Sequence, residues 1–413
     1  MLLLFYFFAA ISVWLGLLSL RGGIRFVNYL QNELAQDREP FMPYVTVFMP
    51  LRGVDKDLNE NLAACFAQDY PNFEIIFVTD SADDPALAAV DQARRSFKGT
   101  IGPAMQVLIA GAATNCGQKV HNLVTAIDYA HRDSAIFVFI DSDARPKTNW
   151  LRALVAPLRQ AGIGATTGYR WFVRVGGLAA QLLSVWNAAI ASALGANTGK
   201  NFCWGGATAI RRGAFNECRV MDYWRGAASD DFAMTRALHD AQLPIKFVPQ
   251  CLTPSFEICT LRELIEFTTR QLKITRVYAP HLWKSVLSGS VIFVITFFGG
   301  LLLVITRAAL GLSYATPLVL LLIIFAMGAM KSHLRLRAVA TVIGEPRCSS
   351  AAATLAHVTL WPIASALYLY NGIAAAVSRR ITWRGITYEL KSPNETAIIG
   401  QRKTGRSQES EIS

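Results

Sequence analysis

The first 20 residues, MLLLFYFFAAISVWLGLLSL, carry no side-chain charge. A run of that length and composition is long enough to cross a bilayer as a helix. It lacks the basic start and small-residue cleavage site of a removable leader, so it reads as a retained anchor over residues 1–25. Three further apolar stretches come late, at roughly 286–306, 313–330 and 352–377, the last interrupted by Pro362. Between them, 40–255 is punctuated by Asp, Asn and Gly like a globular domain, and 256–285 is a basic amphipathic segment. The expected layout is anchor, globular domain, interface segment, membrane helices over 286–380, and a tail over 381–413 that is partly disordered, from about 392 onward.

Charge divides along the same lines. Residues 1–255 hold 23 Lys+Arg against 21 Asp+Glu, and residues 256–413 hold 17 against 8. A nearly neutral globular domain argues against nucleic acid as a partner. The surplus beside the spans is what the positive-inside rule produces. Arg21 and Arg25, directly after the first span, put the domain on the cytosolic side, and Lys331, Arg335 and Arg337 agree. The basic run SRRITWRGITYELK would then fall outside unless one segment, 352–377 with its proline, is re-entrant. The seven cysteines form no CxxC pair, which suits a reducing compartment and excludes a zinc-ribbon spacing. Asn394-Glu-Thr is a glycosylation sequon that goes unused on the cytosolic side. The expectation is an integral membrane protein with a cytosolic domain, in a bacterial inner membrane or, in a eukaryote, the Golgi.

Within 40–255, YVTVFMPL (44–51), NFEIIFVTDSADDP (72–85), QVLIA (106–110) and AIFVFIDSDARP (135–146) read as strands. LNENLAACFAQD (58–69) and QKVHNLVTAIDYAHR (118–132) have helical spacing between them. Strands alternating with helices predict an α/β, doubly wound, mostly parallel sheet. Two of these strands close on acids: Asp80, Asp83 and Asp84 after the second, Asp141 and Asp143 after the fourth. Ligands bind beyond the carboxyl ends of such strands. There is no G-x-x-x-x-G-K-[ST], no G-x-S-x-G and no H-E-x-x-H. GIGATTG (162–168) runs into a strand rather than a helix, so it is no dinucleotide fingerprint.

Paired carboxylates at a strand end, with no P-loop, suit a nucleotide held through Mg²⁺ or Mn²⁺, hard cations that prefer carboxylate and phosphate oxygens. The bland alternative is an exposed turn or a helix cap. A second acidic pair, Asp230-Asp231, opens an apparent helix in SDDFAMTRAL. Asp230 suits an N-cap, which leaves Asp231 as a candidate general base. Trp204-Gly205-Gly206 permits close backbone approach and an aromatic wall. Arg270, Lys273 and Arg276 fall near one face of LRELIEFTTRQLKITRVYAPHLW, as phosphate or lipid-head contacts or as cations snorkelling at an interface. The apolar segment 178–198 reads either as a core helix or, the favoured reading, as a helix on the bilayer.

MPLRGVDKDLNENLAACFAQDYPNFEIIFVTDSADDPAL (49–87) resembles the opening block of the ceramide glucosyltransferase family, membrane enzymes with the GT-A fold. GQKVHNL is similar to that family's Lys-x-x-Asn-Leu turn, Asp141-Ser-Asp143 to its second aspartate motif and Asp231 in SDDFAM to its third. The chain departs from the family's Arg/Gln-x-x-Arg-Trp motif: Arg270-Gln-Leu-Lys273-Ile274 keeps the charge but loses the guanidinium fork and the aromatic ring. The resemblance implies inverting transfer of a hexose, glucose in that family, from a UDP-sugar to a hydroxyl of a membrane lipid such as ceramide. Hopanoid and other bacterial lipid glycosyltransferases share these blocks, and a processive polysaccharide synthase shares the fold and metal site. A non-catalytic membrane scaffold would leave the acidic clusters unrelated. On this reading Asp143 and Asp141 hold the metal, Asp80 meets the uracil or ribose, and Asp231 is the base. Arg52, from the Pro-Leu-basic-Gly block, belongs to the donor site, with Lys119, Arg270 and Lys273 as diphosphate contacts.

Overall fold

A computed structural model describes residues 1–97, 102–173 and 176–401. The chain opens with α1 (Leu2–Ala35) and then alternates: β1 (Val45–Pro50), α2 (Leu58–Phe66), β2 (Phe73–Thr79), α3 (Ala86–Ser96), β3 (Ala104–Ile109), α4 (Gln118–Ile127), β4 (Ile136–Phe139), α5 (Trp150–Val155), β5 (Ala165–Phe172) and α6 (Leu178–Ala191). Next come β6 (Thr208–Arg211), α7 (Arg212–Glu217), α8 (Val220–Trp224), α9 (Asp230–Asp240), β7 (Ile245–Ser255) and α10 (Leu261–Tyr278). The seven strands form one sheet in the order β3-β2-β1-β4-β6-β5-β7. β1 to β4 are parallel to one another, β5 is parallel to β7, and β6 runs against β4 and β5. β1, β2 and β4 are buried along almost their whole length, the pattern of strands covered by helices on both faces. The expected doubly wound, mostly parallel sheet is the fold observed.

Among the described residues three helices are long and apolar enough to cross a membrane: α1, α11 (Pro280–Ala309) and α12 (Ala315–Ile343). The stretch expected to be interrupted at Pro362 is α13 (Ala351–Thr359) and α14 (Trp361–Val377), bent by 53° at their junction as a broken span or a re-entrant loop. Pro362 sits in the first turn of α14, where its missing N–H costs nothing. α1 runs well past residue 25. Its last turns pack on the globular domain, where Tyr29 donates to the Phe247 carbonyl at 2.6 Å and Glu33 pairs with Lys246 at 3.0 Å. Lys147 donates to the Val342 carbonyl near the end of α12 at 2.8 Å. α6 is not laid bare for a bilayer: nine of its residues, Trp186 among them, are buried between the sheet and α13–α14.

The tail also departs from expectation. Strands β8 (Arg380–Trp383), β9 (Ile386–Ser392) and β10 (Glu395–Gln401) form a small antiparallel sheet, so 392–401 is ordered; 402–413 lies outside the described residues. Ile381, Ile386, Tyr388 and Leu390 are buried against the core that contains α4 and α9. The alternation Ile386, Tyr388, Leu390 is the period-2 signal of a half-buried strand; Thr387, Glu389 and Lys391 face outward and mask it. At its far end the β9–β10 turn rests on Gly226, whose φ is +74° and where a Cβ would stand 2.1 Å from the Asn394 carbonyl oxygen. Gly226→Ala is therefore expected to lift this turn and lower stability by about 1–3 kcal/mol. Thermal melting and limited proteolysis over 380–401 read this; a wild-type melting temperature with no faster cleavage counts against the docking.

Candidate active site

In the parallel ladder Met49 faces Phe77 and Phe48 faces Phe139. The loops after β1, β2 and β4 therefore leave the sheet at one edge, carrying Arg52, Asp80 and Asp141–Asp143 to a common cleft of about 140 Å³. Arg52 pairs with Asp80, and Asp80 itself stands behind the cleft lining. Asp84 is structural: it accepts from the backbone N–H of Gly53 at 3.0 Å and of Ala86 at 2.9 Å, and so ties the β1 and β2 loops together.

Asp141 and Asp143 both face this cleft, and one guanidinium meets both. Arg170 Nη1 lies 3.0 Å from Asp143 and Nη2 lies 3.7 Å from Asp141. Arg170 comes from β5 and is held over the Trp204 ring at 5.1 Å. Two neighbouring carboxylates are the kind of oxygen donor a hard divalent cation prefers; among the described residues no group of three or more His, Cys, Asp or Glu side chains is gathered to hold one.

Lys119, in the first turn of α4, sits 2.6 Å from Asp141 and 3.0 Å from Asp230. Burial works against its charge, but Asp141, Asp230 and Asp231 outweigh burial and hold the ammonium above its ordinary range. Burial likewise works to raise Asp141, yet Lys119 and Arg170 keep it below the ordinary carboxylate value. At Asp230 burial, reinforced by Asp231 and Asp141, wins over Lys119 and pushes the carboxyl up to about 6. Gly205 makes room for the cluster: a Cβ there would stand 2.3 Å from Lys119 Nζ and 3.0 Å from Asp230 Oδ2.

The start of α9 is arranged differently from the sequence reading. Ser229, not Asp230, is the N-cap and accepts from the Phe232 N–H at 3.3 Å. Asp230 is turned inward to Lys119. Asp231 is half-buried, and its Oδ1 accepts from the Phe232 N–H at 2.7 Å and from the Ser229 hydroxyl. Among the described residues its Oδ2 has no hydrogen-bond partner.

Of the basic residues of α10, only Arg270 lines the cleft. Lys273 donates to the Arg380 carbonyl at 2.8 Å, Arg276 to the Ala376 carbonyl at 2.8 Å, and Ile274 is buried. The cleft instead takes an aromatic and a guanidinium from the tail, Trp383 and Arg384, and a phenol, Tyr388, which accepts from the Gln118 N–H at 3.2 Å. Sequence reasoning missed these three and Arg170. The available signals were the tight turn in TWRGITY and a cation inside the otherwise apolar strand TTGYRWF.

A mixed, mostly parallel seven-stranded sheet, an Asp-x-Asp pair at the carboxyl edge and flanking apolar helices define a glycosyltransferase of the GT-A type. The chain belongs to glycosyl transferase family 21, whose sequence model matches residues 4–396. It is 32% identical over 106 residues to ceramide glucosyltransferase 1 of Caenorhabditis elegans, a match covering 24% of this chain and 22% of that relative. It is 34% identical over 58 residues to the ceramide glucosyltransferase of Komagataella phaffii, covering 14% of this chain and 11% of that one. These matches thus span about a fifth or less of the curated relatives. Among solved structures it is similar to the mannosyltransferase PcManGT from Pyrobaculum calidifontis in complex with GDP-Man and Mn²⁺, at 18% identity and a TM-score of 0.47, over 90% of this chain and 98% of that one.

Gly205→Ala is expected to push Lys119 out of its seat between Asp141 and Asp230. Transfer should fall about 10²-fold, the usual cost of a misplacement of about 1 Å at a reacting centre. Initial rates of sugar transfer, with melting as the folding control, measure this; an active Gly205→Ala enzyme would mean the cluster tolerates displacement.

Proposed function

We propose that this chain transfers a hexose, with glucose the favoured sugar, from a UDP-sugar to the hydroxyl of a membrane lipid of the ceramide class, with inversion at the anomeric carbon. The observation that carries the reading is the convergence of Asp141 and Asp143 with Lys119, Arg170 and Arg270 on one cleft at the sheet edge. Two carboxylates for a metal, beside guanidinium and ammonium groups, form a site for a metal-bound diphosphate. Asp141 and Asp143 would hold Mg²⁺ or Mn²⁺, which when bound would neutralise charge on the departing diphosphate.

Lys119 and Arg270 meet the diphosphate; Arg52, paired with Asp80, fixes the loop on which the nucleoside rests. Asp231, with one oxygen fixed at the start of α9 and the other unpartnered, takes the proton of the acceptor hydroxyl. As that oxygen bonds to the anomeric carbon, the bond to the diphosphate breaks and its electron pair leaves with the UDP. One base suffices, and no protein nucleophile is needed. Lys273, turned to a backbone carbonyl, is left a structural part. The membrane helices bring the lipid to the domain, which we place on the cytosolic side. In support, Lys331 donates to Ser19 at 2.6 Å, so the basic flank of α12 lies level with that of α1, on the domain's side.

The test is incubation of membranes with a panel of UDP-sugars and ceramide, hopanoid and diacylglycerol acceptors, then product mass. A single hexosyl ceramide is expected. A hopanoid product would move the acceptor, a polymer would indicate a processive synthase, and full activity after EDTA would remove the metal. Asp231→Asn should lower turnover by about 10²–10⁴ with UDP-sugar affinity retained. Asp230→Asn should loosen Lys119 and act on donor affinity instead. The reverse pattern, read by single-turnover transfer and donor titration, would make Asp230 the base.

A further inference from the structure

The cleft is walled on one side by the tip of the β8–β9 hairpin. Trp383 and Ile386 pair across a two-residue turn, Arg384-Gly385, with φ of 47° and 77°. Positive φ at both turn positions is the tight hairpin geometry in which Asn or Asp ordinarily takes the first place. An arginine held there is a strained choice, and such strain persists where the surroundings over-determine it.

Here they do. Arg384 Nη2 lies 2.7 and 2.9 Å from the two Asp55 oxygens, and Nη1 donates to the Arg52 carbonyl at 2.8 Å. Arg52 Nε donates back to the Arg384 carbonyl at 3.1 Å. Asp55 in turn accepts from Ser142, between the two metal-site aspartates, at 2.5 Å. The side chain of Arg384 remains 34% exposed, on the cleft side of this staple.

Five cations line the cleft: Arg52, Lys119, Arg170, Arg270 and Arg384. Four of them have carboxylate partners: Arg52 in Asp80, Lys119 in Asp141 and Asp230, Arg170 in Asp143, and Arg384 in Asp55. Arg270 has no carboxylate partner among the described residues; its guanidinium lies between the Phe267 ring at 5.4 Å and the Trp383 ring at 5.8 Å and donates to the Thr382 carbonyl at 3.4 Å. Burial, together with Arg170 and Arg384, lowers it to about 10. Arg270, without a carboxylate, and the partly exposed Arg384 are the cleft cations left to meet an anionic ligand.

We propose that the β8–β9 hairpin is a working wall of the donor site: Arg384 gives up part of its contact with Asp55 to a diphosphate oxygen of the nucleotide, while Trp383 holds Arg270 against the same diphosphate. The inference rests on the donor reading above and adds to it a binding residue more than 100 positions beyond the last strand of the large sheet, since β7 ends at Ser255. It makes the tail sheet respond to the diphosphate rather than to the nucleoside.

The experiment measures UDP and UMP affinity of the full-length protein in detergent with Mn²⁺, for wild type, Arg384→Gln, Arg384→Lys, Trp383→Ala and Asp55→Asn. Arg384→Gln should weaken UDP about 10- to 100-fold, the loss of a charge-assisted contact, and UMP by less than about threefold. Arg384→Lys should recover part of the loss. Asp55→Asn can still accept from Ser142 but releases Arg384, so UDP should bind as well as to wild type or better. Hydrogen exchange over 380–401 should slow when UDP binds. If Arg384 were only a staple, Arg384→Gln and Asp55→Asn would weaken UDP alike, and UMP would fall with UDP. That pattern, or unchanged UDP affinity in a folded Arg384→Gln protein, overturns the inference alone. Wild-type protein that binds no nucleoside diphosphate overturns the donor reading with it.

Discussion

The ammonium of Lys119 is the point on which the crevice hangs. It joins the start of α4, the loop after β4 and the start of α9 through contacts of 2.6 and 3.0 Å to Asp141 and Asp230. At a typical effective dielectric, each close pair is worth roughly 4 kcal/mol of attraction. Bringing the charges out of water costs several kcal/mol per ion, so the network is close to neutral as a source of stability. Its effect is positional. Without the ammonium the buried carboxylate of Asp230 would be left unpaired beside Asp141, and removing one partner of a buried pair typically costs about 3–5 kcal/mol. The sequence around it is arranged for that closeness, with a glycine at 205 where any side chain would collide.

The large sheet was legible because its strands are apolar runs bounded by turn residues, and its functional edge was legible because acids end two of those runs. Asp141, Asp143, Lys119 and Arg270 come from that edge and from the family resemblance. What was hidden depends on pairings across long sequence separations. Arg52 and Arg384 are 332 residues apart, and nothing local to either announces the other. Arg170 lies in a strand whose apolar neighbours mark it as core, although its side chain reaches the carboxylates from that strand. The cap at α9 went to Ser229 because a hydroxyl can accept from Phe232 and donate to Asp231 at once, which frees Asp230 to face Lys119. The order of the tail was masked by charges on the outer face of β9.

The C-terminal third does more than attach the protein to a bilayer. α10 sends Arg270 into the cleft and Arg276 to the last carbonyls of α14, where a cation is favoured by the helix dipole. The tail sheet then returns from α14 to cover the start of α4 and the donor edge. α6, walled in by β5 on one side and α13–α14 on the other, passes between these parts. Sheet, broken helix and tail are thus packed as successive layers, with the cleft at their common border.

The unbroken course of α1 has a geometric consequence. At about 1.5 Å per residue its 34 residues make a rod of about 50 Å, whereas a hydrocarbon core of about 30 Å takes up only some 20 of them. The remainder stands clear of the acyl chains and is bolted to the domain through Tyr29 and Glu33. The altitude of the cleft above the lipid surface is therefore set by a stiff strut and not by a slack tether. If the acceptor is a membrane lipid, as proposed, it would be sampled at one depth, so its polar head, far more than the length of its tails, would decide whether a hydroxyl arrives within reach.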